Sequence, residues 1–195
     1  MKYLLWALVI VIVASGAYFL FTYLESSERS SQKHMTLSVT SSAFENNASI
    51  PARYTCDADN TNPPLSISGI PEGAVSVALI MEDPDVPKAL KPDGMFDHWV
   101  VYSIPVQLGQ TSIDIPAAAT GLVSGMNGRG EEGYRGPCPP PEYEPSEHRY
   151  FFKAYALSTE LSFLSPPKKA EVESAMKGYV LASGELIGLY DRKEK

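Results

Sequence analysis

Residues 75–81, VSVALIM, lead through Glu82 into residues 83–87, DPDVP, and this segment is the clearest indication of the fold. Every second residue of the first segment is large and apolar, so we predict a buried strand. The same alternation places Asp83 and Asp85 on the side of those apolar residues. Two prolines stiffen the exit of the strand. We therefore expect two carboxylates held in place there, although a polar turn that merely ends a strand is the simpler alternative.

Short strands are predicted on both sides of this segment. The same period-two pattern, closed by turn residues, recurs at residues 37–40, 65–68, 98–104, 148–157 and 186–190. One helix is predicted after the two prolines at 166–167, because Val172, Met176 and Tyr179 recur at nearly helical spacing. The predicted fold class is mainly β, a sandwich of antiparallel strands with a peripheral helix.

Composition narrows the classes of function. The chain has 195 residues, of which 44% are hydrophobic and 20% charged, as in a globular domain. Its net charge of −7 comes with no basic stretch, which argues against nucleic-acid binding. Two cysteines are too few for a zinc site made only of cysteines.

The N-terminal segment has the pattern of a membrane anchor. Residues 3–24 carry no charge, and as a helix they would span roughly 33 Å, enough to cross a bilayer core. A cleaved signal peptide is the alternative, but the apolar run is longer than such peptides usually have. We predict a signal anchor or transmembrane helix at residues 1–24 and a polar tether at 25–34. A domain at 35–195 would then lie on the extracytoplasmic side, periplasmic or extracellular.

Two of the three histidines lie where side chains can reach both a rigid scaffold and solvent. His34 falls in the tether, whereas His98 and His148 each begin a predicted strand after a loop rich in Gly, Pro or Asp. Tyr150 is two residues after His148 and so shares its face. The proline-rich residues 136–141, GPCPPP, are stiff enough to wall a cleft. A capping or surface role is the alternative for each histidine.

Taken together, these segments resemble the phosphatidylethanolamine-binding protein family, in particular its bacterial and archaeal Raf kinase inhibitor-like branch. The similarity extends from about Met35 to Arg192, and the motifs occur in the family's order. The matching segments are 51–57 (PARYTCD), 62–66 (NPPLS), 83–87 (DPDVP), 98–102 (HWVVY), 133–140 (GYRGPCPP) and 148–150 (HRY).

The resemblance implies a β-sandwich with a small pocket for anions such as phosphate or a phospholipid headgroup. Carried over by position, Asp85 supports the rim, and the ligand-binding residues are Asp83, His98, Pro137, His148 and Tyr150. Both histidines are expected to donate hydrogen bonds to the anion, and Asp83 to hold a histidine tautomer or raise a histidine pKa. Phosphate binding is then predicted to be stronger below about pH 6.5, the reference pKa of histidine.

The two cysteines, Cys56 and Cys138, both lie in segments that match the family around the implied pocket. Since disulfides form in oxidising compartments, an extracytoplasmic domain would allow a disulfide between them.

The predicted function is therefore binding of a small anion or a phospholipid headgroup by a membrane-tethered protein, with a regulatory role as one option. No catalytic residue, metal or cofactor is expected, and the protein partner stays open. One alternative is a hydrolase or metal-dependent enzyme using Asp83, His98 and His148. No nucleophile motif accompanies those three residues. The other alternative is a protein inhibitor of a peptidase or kinase, as the resemblance suggests.

Overall fold

A six-stranded mixed sheet is the frame of the fold. In the computed structural model, which describes residues 35–192, this sheet consists of β1 (Met35–Thr36), β3 (Ala48–Ser49), β5 (Ser76–Asp83), β6 (Phe96–Pro105), β8 (Glu147–Leu157) and β9 (Val180–Asp191). The main path runs β1-β9-β8-β5-β6, with β3 also paired to β9. The two short strands are parallel to β9, and the other pairs are antiparallel.

A three-stranded antiparallel sheet completes the sandwich. It consists of β2 (Ser38–Thr40), β4 (Leu65–Ser68) and β7 (Ser112–Ile115), with β4 in the centre. Buried and exposed residues alternate along each of these strands, as expected when one face of a sheet is covered. Their inner side chains, among them Ile67 and Ile115, belong to the same apolar core as Val77, Leu79 and Met81 of β5.

The outer face of the main sheet is covered by α1 (Lys169–Met176). Its buried residues Val172 and Met176 pack in a second apolar cluster that includes Ile80 of β5 and Val100 of β6. The helix ends before Tyr179, which is 48% exposed, so the predicted apolar face is one residue too long. The cause is Gly178, whose positive φ of 84° takes the chain out of the helical conformation.

The prediction of a mainly β fold with one peripheral helix is confirmed. The predicted strand at 186–190 is longer than expected, and β1, β3 and β7 are additional short strands that the pattern did not indicate. The predicted anchor at residues 1–24 and the tether at 25–34 lie outside the described residues. Among residues 35–192, no helix is both long enough and apolar enough to cross a membrane.

Candidate functional site

A cavity of about 320 Å³ opens where β5 ends and β6 and β8 begin. This volume is at the lower end of the range typical of small-molecule sites, roughly 300–1,000 Å³. The polar part of its wall contains one carboxylate, two imidazoles and three cationic side chains, namely Asp83, His98, His148, Lys91, Arg129 and Arg135. The remaining wall is apolar or glycine, and it includes Val86, Leu90, Phe96, Gly128, Gly136, Cys138, Pro139 and Pro140.

A buried carboxylate–imidazole pair forms the floor of the cavity. Asp83 ends β5 and His148 is near the start of β8, so the antiparallel neighbours bring them together. Nδ1 of His148 donates to Oδ2 of Asp83 at 2.7 Å, and the backbone N–H of Asp85 donates to Oδ1 of Asp83 at 2.8 Å. The other imidazole nitrogen, Nε2 of His148, is buried and has no hydrogen-bond partner among the described residues.

His98 enters the cavity through a β-bulge. Met81 pairs with Trp99 but the next residue, Glu82, pairs with Asp97, which leaves His98 as the extra residue. A bulge of this kind interrupts the alternation of faces and redirects a side chain. It turns the ring of His98 towards Asp83, so that Nε2 of His98 lies 4.0 Å from Oδ2 of Asp83, too far for a hydrogen bond.

The second nitrogen of His98 is already occupied. Nδ1 of His98 lies 2.6 Å from the carbonyl oxygen of Arg135, and since that oxygen can only accept, Nδ1 carries the hydrogen. Burial lowers the pKa of His98 to about 4, so the ring is neutral at neutral pH. His98 therefore has no hydrogen to offer an anion under those conditions. The expectation that His98 donates a hydrogen bond to an anion is therefore not met at neutral pH, and the expectation that His148 does so stays a prediction.

Tyr150 lies beside the two imidazoles, on the same face of β8 as His148. Its ring meets that of His98 edge-on, with 5.1 Å between centroids. The hydroxyl is buried and unpartnered among the residues that the structure describes, and Tyr150 does not itself line the cavity. Burial raises the pKa of Tyr150 above its ordinary value, so the phenol keeps its hydrogen and can act as a donor.

Asp85 turns away from the cavity and braces its rim. Both carboxylate oxygens of Asp85 bind the guanidinium of Arg149, at 2.7 and 2.8 Å, and the backbone N–H of Arg149 donates to the same carboxylate at 2.9 Å. The Arg149 guanidinium holds the pKa of Asp85 below its usual value. Asp85 thus connects the loop after β5 to the start of β8 and is not placed to touch a ligand.

The proline-rich wall is held in place by contacts on the side that faces away from the cavity. Pro137 is buried outside the cavity, where its carbonyl oxygen accepts from the backbone N–H of Cys56 at 3.0 Å. Cys56 is joined to Cys138 by a disulfide, with Cα atoms 5.4 Å apart. Gly136 allows the close approach, because a Cβ there would lie 2.5 Å from the carbonyl oxygen of Tyr54. The wall that faces a ligand is consequently made by the neighbours of Pro137.

Sequence reasoning missed the cationic part of the wall. Arg135 is inside the matched segment 133–140, yet a single basic residue between glycines carries no signal of its own. Arg129 follows Asn127-Gly128 in a turn, where a basic residue usually means a solvated surface. Lys91 lies in a polar loop before β6. The three converge only through tertiary contacts.

Comparisons with known proteins agree on one family. The model of the family described as phosphatidylethanolamine-binding protein matches residues 40–191. A UPF0098 protein of Methanothermobacter thermautotrophicus is 44% identical over 153 residues, which cover 77% of this chain and 95% of the relative. A UPF0098 protein of Aquifex aeolicus is 43% identical, covering 80% and 89% respectively.

Two solved structures share the fold along nearly their whole length. CT736 from Chlamydia trachomatis, described as a putative phosphatidylethanolamine-binding protein homologue, has a TM-score of 0.73 and 38% identity, covering 81% of this chain and 99% of the neighbour. YbcL from E. coli, described as a new member of the mammalian family, has a TM-score of 0.69 and 30% identity, covering 80% and 99%.

Proposed function

Because the chain belongs to the phosphatidylethanolamine-binding protein family, we propose that its cavity binds a phosphate-bearing anion, either a free phosphate compound or the headgroup of a phospholipid. The observation that carries the proposal is Nε2 of His148, a buried polar atom of a residue in the cavity wall that has no partner among the described residues; the hydroxyl of Tyr150, buried behind this wall, is a second such atom. Buried polar atoms are nearly always hydrogen-bonded in folded proteins. A phosphate oxygen would supply the missing partner for each.

The protonation states decide how such an anion would bind. Because Nδ1 of His148 gives its hydrogen to Asp83, Nε2 becomes a donor only when the ring takes up a second proton. The Asp83 carboxylate then faces an imidazolium, and a charge-assisted hydrogen bond to the ligand becomes available. If His148 stays neutral, the phosphate itself must bring the hydrogen. In either case, binding requires one proton, so affinity falls as the pH rises.

Calorimetric titration of inorganic phosphate into the full chain between pH 5 and 8 tests this coupling. On the alkaline side, the dissociation constant should rise by up to about tenfold per pH unit, the limit for one proton. His148→Gln should weaken binding and flatten the profile, whereas His34→Gln, at the predicted tether, serves as the matched control. Affinity that stays constant across this range, or that His148→Gln leaves intact, would contradict the proposal.

The enzyme alternative has less support. A metal site of Asp83, His98 and His148 would need all three side chains to present a ligand atom to one point. Asp83 is instead hydrogen-bonded to Nδ1 of His148, so the lone pair on Nε2 of His148 lies on the far side of the ring from that carboxylate. Within residues 35–192, no group of three His, Cys, Asp or Glu side chains is arranged to hold a metal ion. Inhibition of a peptidase or kinase finds no supporting feature in the same part of the chain.

The membrane tether and the extracytoplasmic location belong to the same proposal and rest on the sequence of residues 1–34. The disulfide between Cys56 and Cys138 supports the extracytoplasmic location, since such bonds persist in oxidising compartments and are rare in the cytosol. Fractionation of cells that produce the full chain, followed by protease treatment of intact cells or spheroplasts, tests both points. Recovery in the soluble cytosolic fraction would contradict them.

A further inference from the structure

We propose that the cavity selects ligands that carry a second negative group beside the phosphate, and that Arg129 and Arg135 receive that group. The inference rests on the proposed phosphate site and narrows its ligand class. It favours an acidic headgroup or a phosphorylated acid over a zwitterionic headgroup such as phosphoethanolamine.

The local charge is opposite to that of the whole protein. The chain carries a net charge of −7, yet among residues 35–192 three cationic side chains and only one carboxylate line the cavity. That carboxylate, Asp83, already accepts from His148 and from the backbone of Asp85. A cluster of one sign in a concave surface raises the local concentration of ions of the other sign.

Two of the three cations are available to a ligand. The ammonium of Lys91 contacts the carbonyl oxygen of Met95, and it lies 3.6 Å from a carboxylate oxygen of Asp93. By contrast, the guanidinium groups of Arg129 and Arg135 form no salt bridge or hydrogen bond within residues 35–192. Arginine offers a planar set of donors that matches a carboxylate or phosphate in two-point contact.

The backbones that carry these two guanidinium groups are held in place. The N–H of Arg135 donates to the carbonyl oxygen of His98 at 2.9 Å, and the ring of His98 bonds back to the carbonyl of Arg135. The side chain of the buried Asn127 accepts from the N–H of Arg129 at 2.9 Å and of Glu131 at 3.3 Å. Less conformational entropy is therefore lost when a ligand binds than if the two loops were free.

A positively charged second group would find no free carboxylate among the described residues of this wall. Asp85 is satisfied by Arg149 at the rim. The acidic residues of the segment after the proline-rich wall, Glu142, Glu144 and Glu147, do not line the cavity. Arg129 and Arg135 would repel an ammonium group, whereas they would attract a carboxylate. Both effects favour ligands with a second negative group over zwitterionic ligands.

Two probes of similar length isolate this effect, O-phosphoethanolamine and phosphoglycolate. Both place two carbons after the phosphate oxygen, but one ends in an ammonium and the other in a carboxylate. In calorimetric titrations of the full chain at one pH, we expect phosphoglycolate to bind roughly five- to twentyfold more tightly, the range for one or two partly exposed ion pairs. Inorganic phosphate serves as the reference for the inner site alone.

Alanine substitutions of the two arginines test whether these side chains cause the preference for phosphoglycolate. Arg129→Ala and Arg135→Ala should each reduce the ratio of the two affinities, and together should bring it close to one. Arg129 is exposed, so Arg129→Ala keeps the test valid even if Arg135→Ala folds poorly. Lys177→Ala removes one positive charge at the exposed end of α1 and should leave the ratio unchanged.

The outcomes separate this inference from the proposed function. If phosphate binds but the variants leave the ratio unchanged, or if phosphoethanolamine binds as tightly as phosphoglycolate, the inference is wrong and the phosphate site stands. If inorganic phosphate and both probes fail to bind the unmodified protein, the proposed function fails and this inference fails with it.

Discussion

Replacing both Cys56 and Cys138 by serine is expected to remove a large part of the stability of the domain. The two residues are 82 positions apart, so their bond closes a long loop of the unfolded chain. The chain-entropy relation for a loop of that length gives about 4.5 kcal/mol at 25 °C. Since domains of this kind are stable by about 5–15 kcal/mol, the double variant should lose between about a third and nine-tenths of its free energy of unfolding.

Guanidinium unfolding followed by circular dichroism measures this loss. The double variant should unfold at a lower denaturant concentration, and the unmodified protein in excess reductant should unfold at the same concentration as the variant. Agreement of those two curves is the control, because it separates loss of the bond from the effect of serine itself. A difference below about 1 kcal/mol between the oxidised protein and the variant would refute the loop-closure argument.

Three single substitutions probe other parts of the fold and site. Glu82→Gln should destabilise by about 1–2 kcal/mol in urea, because it removes the carboxylate that Lys153 and Lys169 share. Burial alone would raise the pKa of Glu82, but the two ammonium groups outweigh burial and lower the pKa. The ionised carboxylate therefore stabilises the fold at neutral pH, and the destabilisation by Glu82→Gln should shrink in acid. Gly136→Ala should cost about 2 kcal/mol in thermal unfolding, since its Cβ would meet backbone; an unchanged midpoint would contradict that. Tyr150→Phe should leave stability within about 1 kcal/mol, yet weaken phosphate binding about tenfold; equal affinity would remove this hydroxyl from the site.

The sequence predicts those strands in which the local pattern of apolar residues matches the burial in the structure. In the segment 75–81, alternation and length both indicate a buried strand, and all of β5 is buried. At residues 148–157 the predicted and observed strands differ by one residue. The two-residue strands β1 and β3 have no such pattern, because their pairing with β9 is decided by the partner strand.

The site was less predictable for two physical reasons. Alternation cannot reveal a bulge, so neither the contact of His98 with the loop at Arg135 nor the burial that keeps this imidazole neutral could be predicted from the sequence. The sequence also does not indicate which distant residues line one cavity. Arg129 and Arg135 are far from Asp83 along the chain, and only the folded structure brings all three to the same cavity. Pro137 shows the same limit, because a stiff segment can be identified from sequence but its inward side cannot.

The bulge at His98 makes two histidines with similar sequence surroundings chemically different. His98, the extra residue of β6, ties the strand to the wall segment by exchanging hydrogen bonds with Arg135, and its burial keeps it uncharged. His148 lies in regular pairing with β9, opposite Tyr190, and its Nε2 is left without a partner among the described residues. One imidazole therefore supports the wall, and the other keeps a ring nitrogen available for the ligand that we propose.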